Sequence, residues 1–182
     1  MKFANILEEG TQYREAVRQL YEDSFPEAEK KPFSKMEELS HEGKMRMLAI
    51  LDEDKFVGLA ICMESGKLAL LDYFAIHPDC RCFGYGGKAI RALLREYEGR
   101  RFIFEIEIQD EHAENANDRK RRKEFYLRNG LKETGIFVNL YGVDFELITP
   151  DGAVTFEEYQ RILTEVLGEE MVRVLNPKDC TK

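Results

Sequence analysis

Residues 68–107 read LALLDYFAIHPDCRCFGYGGKAIRALLREYEGRRFIFEIE, and the rest of the chain is organised around this stretch. Its pattern is strand, glycine loop, helix and strand. The loop runs Arg81-Cys82-Phe83-Gly84-Tyr85-Gly86-Gly87-Lys88. Glycines there let the backbone adopt positive φ and approach a ligand closely. The spacing predicts a helix from Tyr85, because Ala89, Ile90, Leu93, Leu94 and Tyr97 fall on one apolar face. The free N–H groups of its first turn then point at the loop, where they suit a phosphate or pyrophosphate.

Two other phosphate-binding loops fit less well. A P-loop needs Gly where Cys82 stands and Ser or Thr where Ala89 stands. A dinucleotide fingerprint is closer, since Gly84 to Ala89 satisfies G-x-G-x-x-A and Glu105 lies about 20 residues on. In that fold, however, the strand runs straight into the first glycine. Here the polar segment from His77 to Phe83, with Pro78, intervenes.

The loop Arg81-Cys82-Phe83-Gly84-Tyr85-Gly86 resembles the R/Q-x-x-G-x-G/A acetyl-CoA loop of the GNAT superfamily of N-acetyltransferases, in the manner of a bacterial-type member. Ile76-His77-Pro78 upstream is similar to the family's strand end. Phe125-Tyr126-Leu127-Arg128-Asn129-Gly130-Leu131 downstream is similar to its tyrosine helix. The resemblance covers roughly residues 68–141. It implies an α/β (α+β) GNAT fold, with a mixed, largely antiparallel central sheet of about six to seven strands and helices on both faces. One domain over residues 1–182 is expected, with a helical C-terminal extension, 155–182, that the resemblance does not explain.

Composition agrees with an ordinary globular chain: 182 residues, 43% hydrophobic and 34% charged. That length is enough to bury roughly 70% of the unfolded surface. No apolar run approaches the ~18 residues of a membrane helix and no secretory signal is visible, so the expected location is cytoplasmic, away from membranes. A net charge of −8 argues against nucleic acid as partner. The four cysteines and three histidines lack metal-site spacing, so no metal is expected and the thiols read as reduced. The basic run Arg119 to Lys123 is read as a solvated helix face, with a contribution near the donor phosphates or an acidic substrate as the alternative.

In chain order, a first strand is expected over 2–7 and a helix from Thr11, with Thr11 as cap, to Phe25. A second short helix is expected at Phe33 with a Ser34/Glu37 capping box. By resemblance this helix pair lies on the acceptor side, which makes Tyr21, Phe25 and Phe33 candidates for substrate contact, with core packing preferred for each. A hairpin over 45–63 precedes the organising strand. Asp110 to Asn129 is read as mostly helix, capped by Asn117 or Asp118 and stopped by Gly130. A closing hairpin spans 136–148, and a last helix, 156–167, follows Thr155. That helix either covers the sheet or joins a partner chain, and covering is preferred; the chain is taken as monomer or homodimer.

Acetyl transfer needs a held donor, a neutral amine, a stabilised oxyanion and a protonated leaving thiolate. By resemblance the donor, acetyl-CoA, is held by Arg81, Cys82, Gly84, Tyr85, Gly86, Gly87 and Lys88. The backbone of Phe74 and Ile76 would pair with the pantetheine amides. A lysine-like amine is neutral only about once in 2,500 molecules at pH 7, a cost of ~4.6 kcal/mol, so a base is worth having. Glu105 and Glu107, about 7 Å apart on one strand face, are the candidates. The alternative is that they pair with arginines such as Arg100 and Arg101. By resemblance Tyr126 is the general acid, against a role as a core tyrosine. The family's asparagine seven residues before that tyrosine is here Arg119, with Asn117 nearest.

Two function classes follow: transfer of an acetyl group to a small-molecule or peptide amine, or a non-catalytic acyl-CoA-binding module. Dinucleotide binding is the remote third.

Overall fold

The computed structural model describes residues 1–140 and 142–181. Tyr141, where the sequence reading closes a strand and the core motif, and Lys182 lie outside the described residues. Strands are β1 (Lys2–Asn5), β2 (Met45–Asp52), β3 (Lys55–Ser65), β4 (Leu68–Ile76), β5 (Arg101–Glu107), β6 (Lys132–Leu140), β7 (Val143–Thr149) and β8 (Lys178–Asp179). Helices are α1 (Arg14–Ser24), α2 (Phe33–His41), α3 (Tyr85–Glu96), α4 (Ala116–Arg128), α5 (Phe156–Leu167) and α6 (Glu169–Leu175). The strands form one sheet in the order β1-β2-β3-β4-β5-β7-β6-β8. The described sheet therefore has eight strands where the sequence reading counts six to seven. The strand that the sequence reading did not name is β8 at one edge, too brief at two residues to carry a periodic signal.

The described residues fall into two compact units, Met1–Glu64 with Leu71–Glu96, and Ser65–Leu70 with Tyr97–Lys182. In the first, β1, β2 and β3 pair antiparallel, with a bulge between Ile50 and Leu51. Their alternation is weak because Leu48, Ala49, Ile50, Leu59, Ala60 and Ile61 are all buried, as in a sheet covered on both faces. β3 runs close against β4. His77 N–H donates to Val57 O at 2.9 Å, and a Cβ at Gly58 would lie 2.4 Å from Ala75 O.

Helix α1 starts after a 3-10 turn at Thr11–Tyr13 and buries Val17, Leu20 and Tyr21; Thr11 does not cap it. α2 follows Pro32, whose fixed φ suits a helix entry, and no side chain caps it. The expected Ser34/Glu37 box is absent: the helix starts at Phe33 with Pro32 as its N-cap, so Ser34 lies inside the first turn, and the Glu37 carboxylate accepts two bonds from the Arg14 guanidinium, at 2.6 and 3.0 Å. The loop joining α1 to α2 is tied to β4. Tyr73 donates to Glu29 O at 2.7 Å, and Lys31 reaches Asp72 at 2.8 Å.

In the second unit β5 pairs with β7, and β6 pairs with both β7 and β8, all antiparallel. α4 begins at Ala116, inside the segment from Asp110 that reads as mostly helix and just before the expected caps: Asn115 holds the N-cap position, and neither Asn117 nor Asp118 caps the helix. Its stop is the expected one: Asn129 is the C-cap and Gly130 follows with φ +106°. α5 begins with a full capping box, in which Thr155 accepts from Glu158 N–H and the Glu158 carboxylate accepts from Thr155 N–H. The extension holds α6 and β8 as well as the one helix expected.

Candidate active site

The site is built from three elements, each set by local chemistry. At the end of β4 the chain makes a 3-10 turn, Pro78–Cys80, in which His77 Nδ1 accepts from Asp79 N–H and His77 O from Cys80 N–H at 2.8 Å. Arg81 then folds back, its Nε donating to Ile76 O at 3.1 Å. Cys82 and Gly84 both take left-handed backbone, with φ +66° and +77°. For glycine that conformation is free; for cysteine it costs about 1–2 kcal/mol. The result is a sharp entry into α3, where Lys88 N–H finds Gly84 O at 3.2 Å. The N–H groups of Tyr85, Gly86 and Gly87 belong to the first turn, which a helix leaves without carbonyl partners of its own. Arg81, Cys82, Phe83, Gly84 and Lys88 are exposed, and Tyr85, Gly86, Gly87, Phe74 and Ile76 are half-buried. The Lys88 ammonium lies 5.4 Å from the Tyr85 ring centre, and Asp52 pushes the Tyr85 phenol above its ordinary pKa. These residues can hold a phosphate by backbone donors with cationic side chains nearby.

In the second unit β5 presents different side chains to its two faces. Phe104 meets the ring of Tyr126 on α4 edge-on, centroids 5.6 Å apart. Glu105, next along the strand, accepts a hydrogen bond from the Tyr159 phenol of α5 at 2.7 Å. Phe104 and Glu105 are neighbours along β5, and so their side chains leave opposite faces of the strand. Tyr126 is half-buried and packs edge-on to Phe125 too. Removal of water around the phenol pushes its pKa up to about 12, against a lesser downward pull from Arg122. No hydrogen-bond partner of that phenol is found among the described residues.

Glu107 is held quite differently from Glu105. Its carboxylate is ion-paired with Arg119 at 3.0 Å and with Arg122 at 2.8 Å, while Asn115 stands 3.4 Å away. Arg119 also donates to Asn115 and to Ile108 O. Sequence reasoning proposed arginine partners but named Arg100 and Arg101; the actual ones stand 12 and 15 positions on. Arg101 instead pairs with Asp151 and Glu158. Asn115 was missed, and its i,i+4 spacing to Arg119 was the available signal. The rest of the basic run is also engaged: Arg121 with Asp118, and Lys123 with Glu133 and with buried Glu146. Lys120 is exposed.

On the other unit, Tyr21 and Phe33 are buried, and Tyr21 packs edge-on to Tyr73 at 4.9 Å. They are core side chains, the role the sequence reading preferred. Among the described residues no cluster of His, Cys, Asp and Glu could hold a metal ion, and all four cysteines are free. No helix is long and apolar enough to cross a membrane.

Comparison with known proteins gives this arrangement a family. Among solved structures, an acetyltransferase of the GNAT family from Bacteroides thetaiotaomicron superposes with a TM-score of 0.74 and 24% identity, covering 92% of this chain and 99% of that one. An aminoglycoside 6'-N-acetyltransferase complexed with coenzyme A gives 0.61 at 18% identity, over 82% and 96% of the two chains. A spermidine N-acetyltransferase chimera from Vibrio cholerae gives 0.60 at 16% identity, over 82% and 95%. At these identities the likeness concerns the fold. No curated protein matches the chain in sequence. The model of the acetyltransferase (GNAT) family matches residues 14–130, well over half of the length, and the chain is therefore an acetyltransferase of the GNAT family.

Proposed function

We propose that the protein transfers the acetyl group of acetyl-CoA to a primary amine, and that the two units work as one domain. The observation that carries this is the loop from Arg81 to Lys88, where two left-handed residues turn the strand into a helix and leave its first N–H groups to a diphosphate. Solved structures of this fold are named for aminoglycoside and spermidine N-acetylation, and a chain of net charge −8 attracts cationic amines. A cytoplasmic location agrees with four free thiols.

In the proposed reaction the amine nitrogen attacks the thioester carbonyl and its proton passes to Glu105. Glu107 is not assigned this role, because its carboxylate is taken up by Arg119 and Arg122. A backbone N–H at Phe74 to Ile76 supports the oxyanion. The C–S bond then breaks and the thiolate takes a proton from Tyr126; solvent later removes the proton from Glu105 and returns one to Tyr126.

The Tyr126 pKa of about 12 makes proton transfer to a free thiolate uphill by several kcal/mol. That remains well inside the ~16 kcal/mol barrier of a turnover near 10 s⁻¹. Acetyl-CoA or CoA should raise Tm, by the equivalent of ~2.7 kcal/mol at a hundredfold excess over Kd, while NAD and ATP leave it unchanged. Stabilisation by NAD alone overturns the reading.

A further inference from the structure

We propose that Tyr159, from the C-terminal extension, is a positioning residue for the base: its phenol holds the Glu105 carboxylate in the orientation that receives the amine's proton. The inference rests on the reading of Glu105 as base and extends it to a part of the chain beyond residues 14–130.

The geometry is specific. The hydrogen bond from the Tyr159 hydroxyl to Glu105 Oε1 is 2.7 Å long and joins residues 54 positions apart. Tyr159 is fully buried, whereas Glu105 is half-buried. A phenol donor orients a carboxylate through one directed hydrogen bond.

The helix that carries the phenol is fixed at both ends within its own unit. At the start, the Thr155/Glu158 capping box sets the first turn and Arg101 of β5 reaches Glu158 at 3.5 Å. Near its end Glu165 accepts from the Ser65 hydroxyl. Between these anchors Tyr159, Ile162, Leu163 and Val166 are buried. The hydroxyl is thereby placed by packing rather than by its own torsional preference, as a group that orients a catalytic carboxylate must be. The charged residues of the two elements are Arg101, Glu105 and Glu107 on β5 and Glu157, Glu158, Arg161 and Glu165 on α5; the β7 residue across from Glu105 is Leu147.

A double-mutant cycle tests the proposal, using acetyl-CoA with spermidine, or acetyl-CoA hydrolysis by water if spermidine is not acetylated. Tyr159→Phe should lower kcat by about tenfold, the size of one hydrogen bond to a charged group, with KM for acetyl-CoA unchanged. Glu105→Gln should lower kcat by roughly 10² to 10⁴, and adding Tyr159→Phe to it should cost nothing more. Equal losses from Tyr159→Phe in both backgrounds would show a role that does not pass through Glu105, and would overturn the proposal. Wild-type kcat in Glu105→Gln instead overturns the reading of the base, a separate result. If Tyr159→Phe fails to fold, Tyr159→3-fluorotyrosine keeps the ring and hydroxyl while strengthening the donor. Its kcat should then differ from that of the parent protein and not within the Glu105→Gln background.

Discussion

At the scale of single residues, Tyr126 gives the clearest division between chemistry and packing. Replacing it with Phe keeps the edge-on contact with Phe104 and removes only the hydroxyl. For a general acid, kcat should fall by roughly 10² to 10⁴ with CoA affinity nearly intact. A core hydroxyl predicts a stability change of about 1 to 3 kcal/mol and turnover in proportion to folded protein. The direction of the pKa shift adds a second check. A phenol raised to about 12 stays protonated through the neutral range, so kcat should show no loss from its ionisation below about pH 10. A falling limb centred near pH 8 that vanishes in Tyr126→Phe would contradict that value. The position of Tyr126 was legible because it sits in a local motif, four residues before a helix-stopping glycine. The fate of Glu107 was not, since its two cations lie 12 and 15 residues along and on another element. Alternation within β5 put both carboxylates on one face, but only tertiary structure distinguishes a carboxylate held by arginines from one held by a phenol.

At the scale of elements, two capping boxes of the same sequence type had opposite outcomes. Thr155/Glu158 forms, and Ser34/Glu37 does not, because Pro32 starts the helix before Ser34 can cap it and Glu37 binds Arg14 from 23 residues away. A local capping pattern works only where the helix starts at the residue that would cap it. The helices and long strands were readable from period alone; β8 was not, for two residues have no period. The closest packing in the sheet was likewise invisible in sequence. At Gly58 an added methyl group would stand 2.4 Å from a β4 carbonyl, so Gly58→Ala must push β3 away from Ala75. The expected cost is about 3 kcal/mol or more, comparable with overpacking a core, read as a fall in Tm or in the denaturant midpoint. Gly43→Ala is the control: no atom stands near the added carbon, but its φ of +72° leaves a cost of about 1 kcal/mol. Equal losses at the two glycines would mean that β3 and β4 are not so tightly apposed.

At the scale of the molecule, the extension closes the second unit as well as covering it. β8 pairs with β6 through Val138 and Asn139, and Cys180 N–H donates to Phe137 O at 2.8 Å. Deleting residues 155–182 should therefore expose both the buried row of α5 and an open strand edge. The expected outcome is a chain that aggregates at micromolar concentration, seen by light scattering, with CoA no longer raising Tm cooperatively. A truncated chain that stays monomeric and melts as the parent does would show that the extension is dispensable for the fold. The sequence reading placed the extension on the sheet, yet offered no reason for it. The reason lies in β5 and β6, which need partners that the segment matched by the family model does not supply.

The contact between Glu105 and Tyr159 has one more consequence, in time. It spans 54 residues, so it forms only after β6 and β7 have found their places and α5 has docked. Contacts of such separation pay their loop-closure cost before they return anything, and they come late in folding. During refolding from denaturant, the capacity to bind CoA should return before the capacity to turn over. A young chain would pass through an interval in which it can hold its donor but cannot yet commit it.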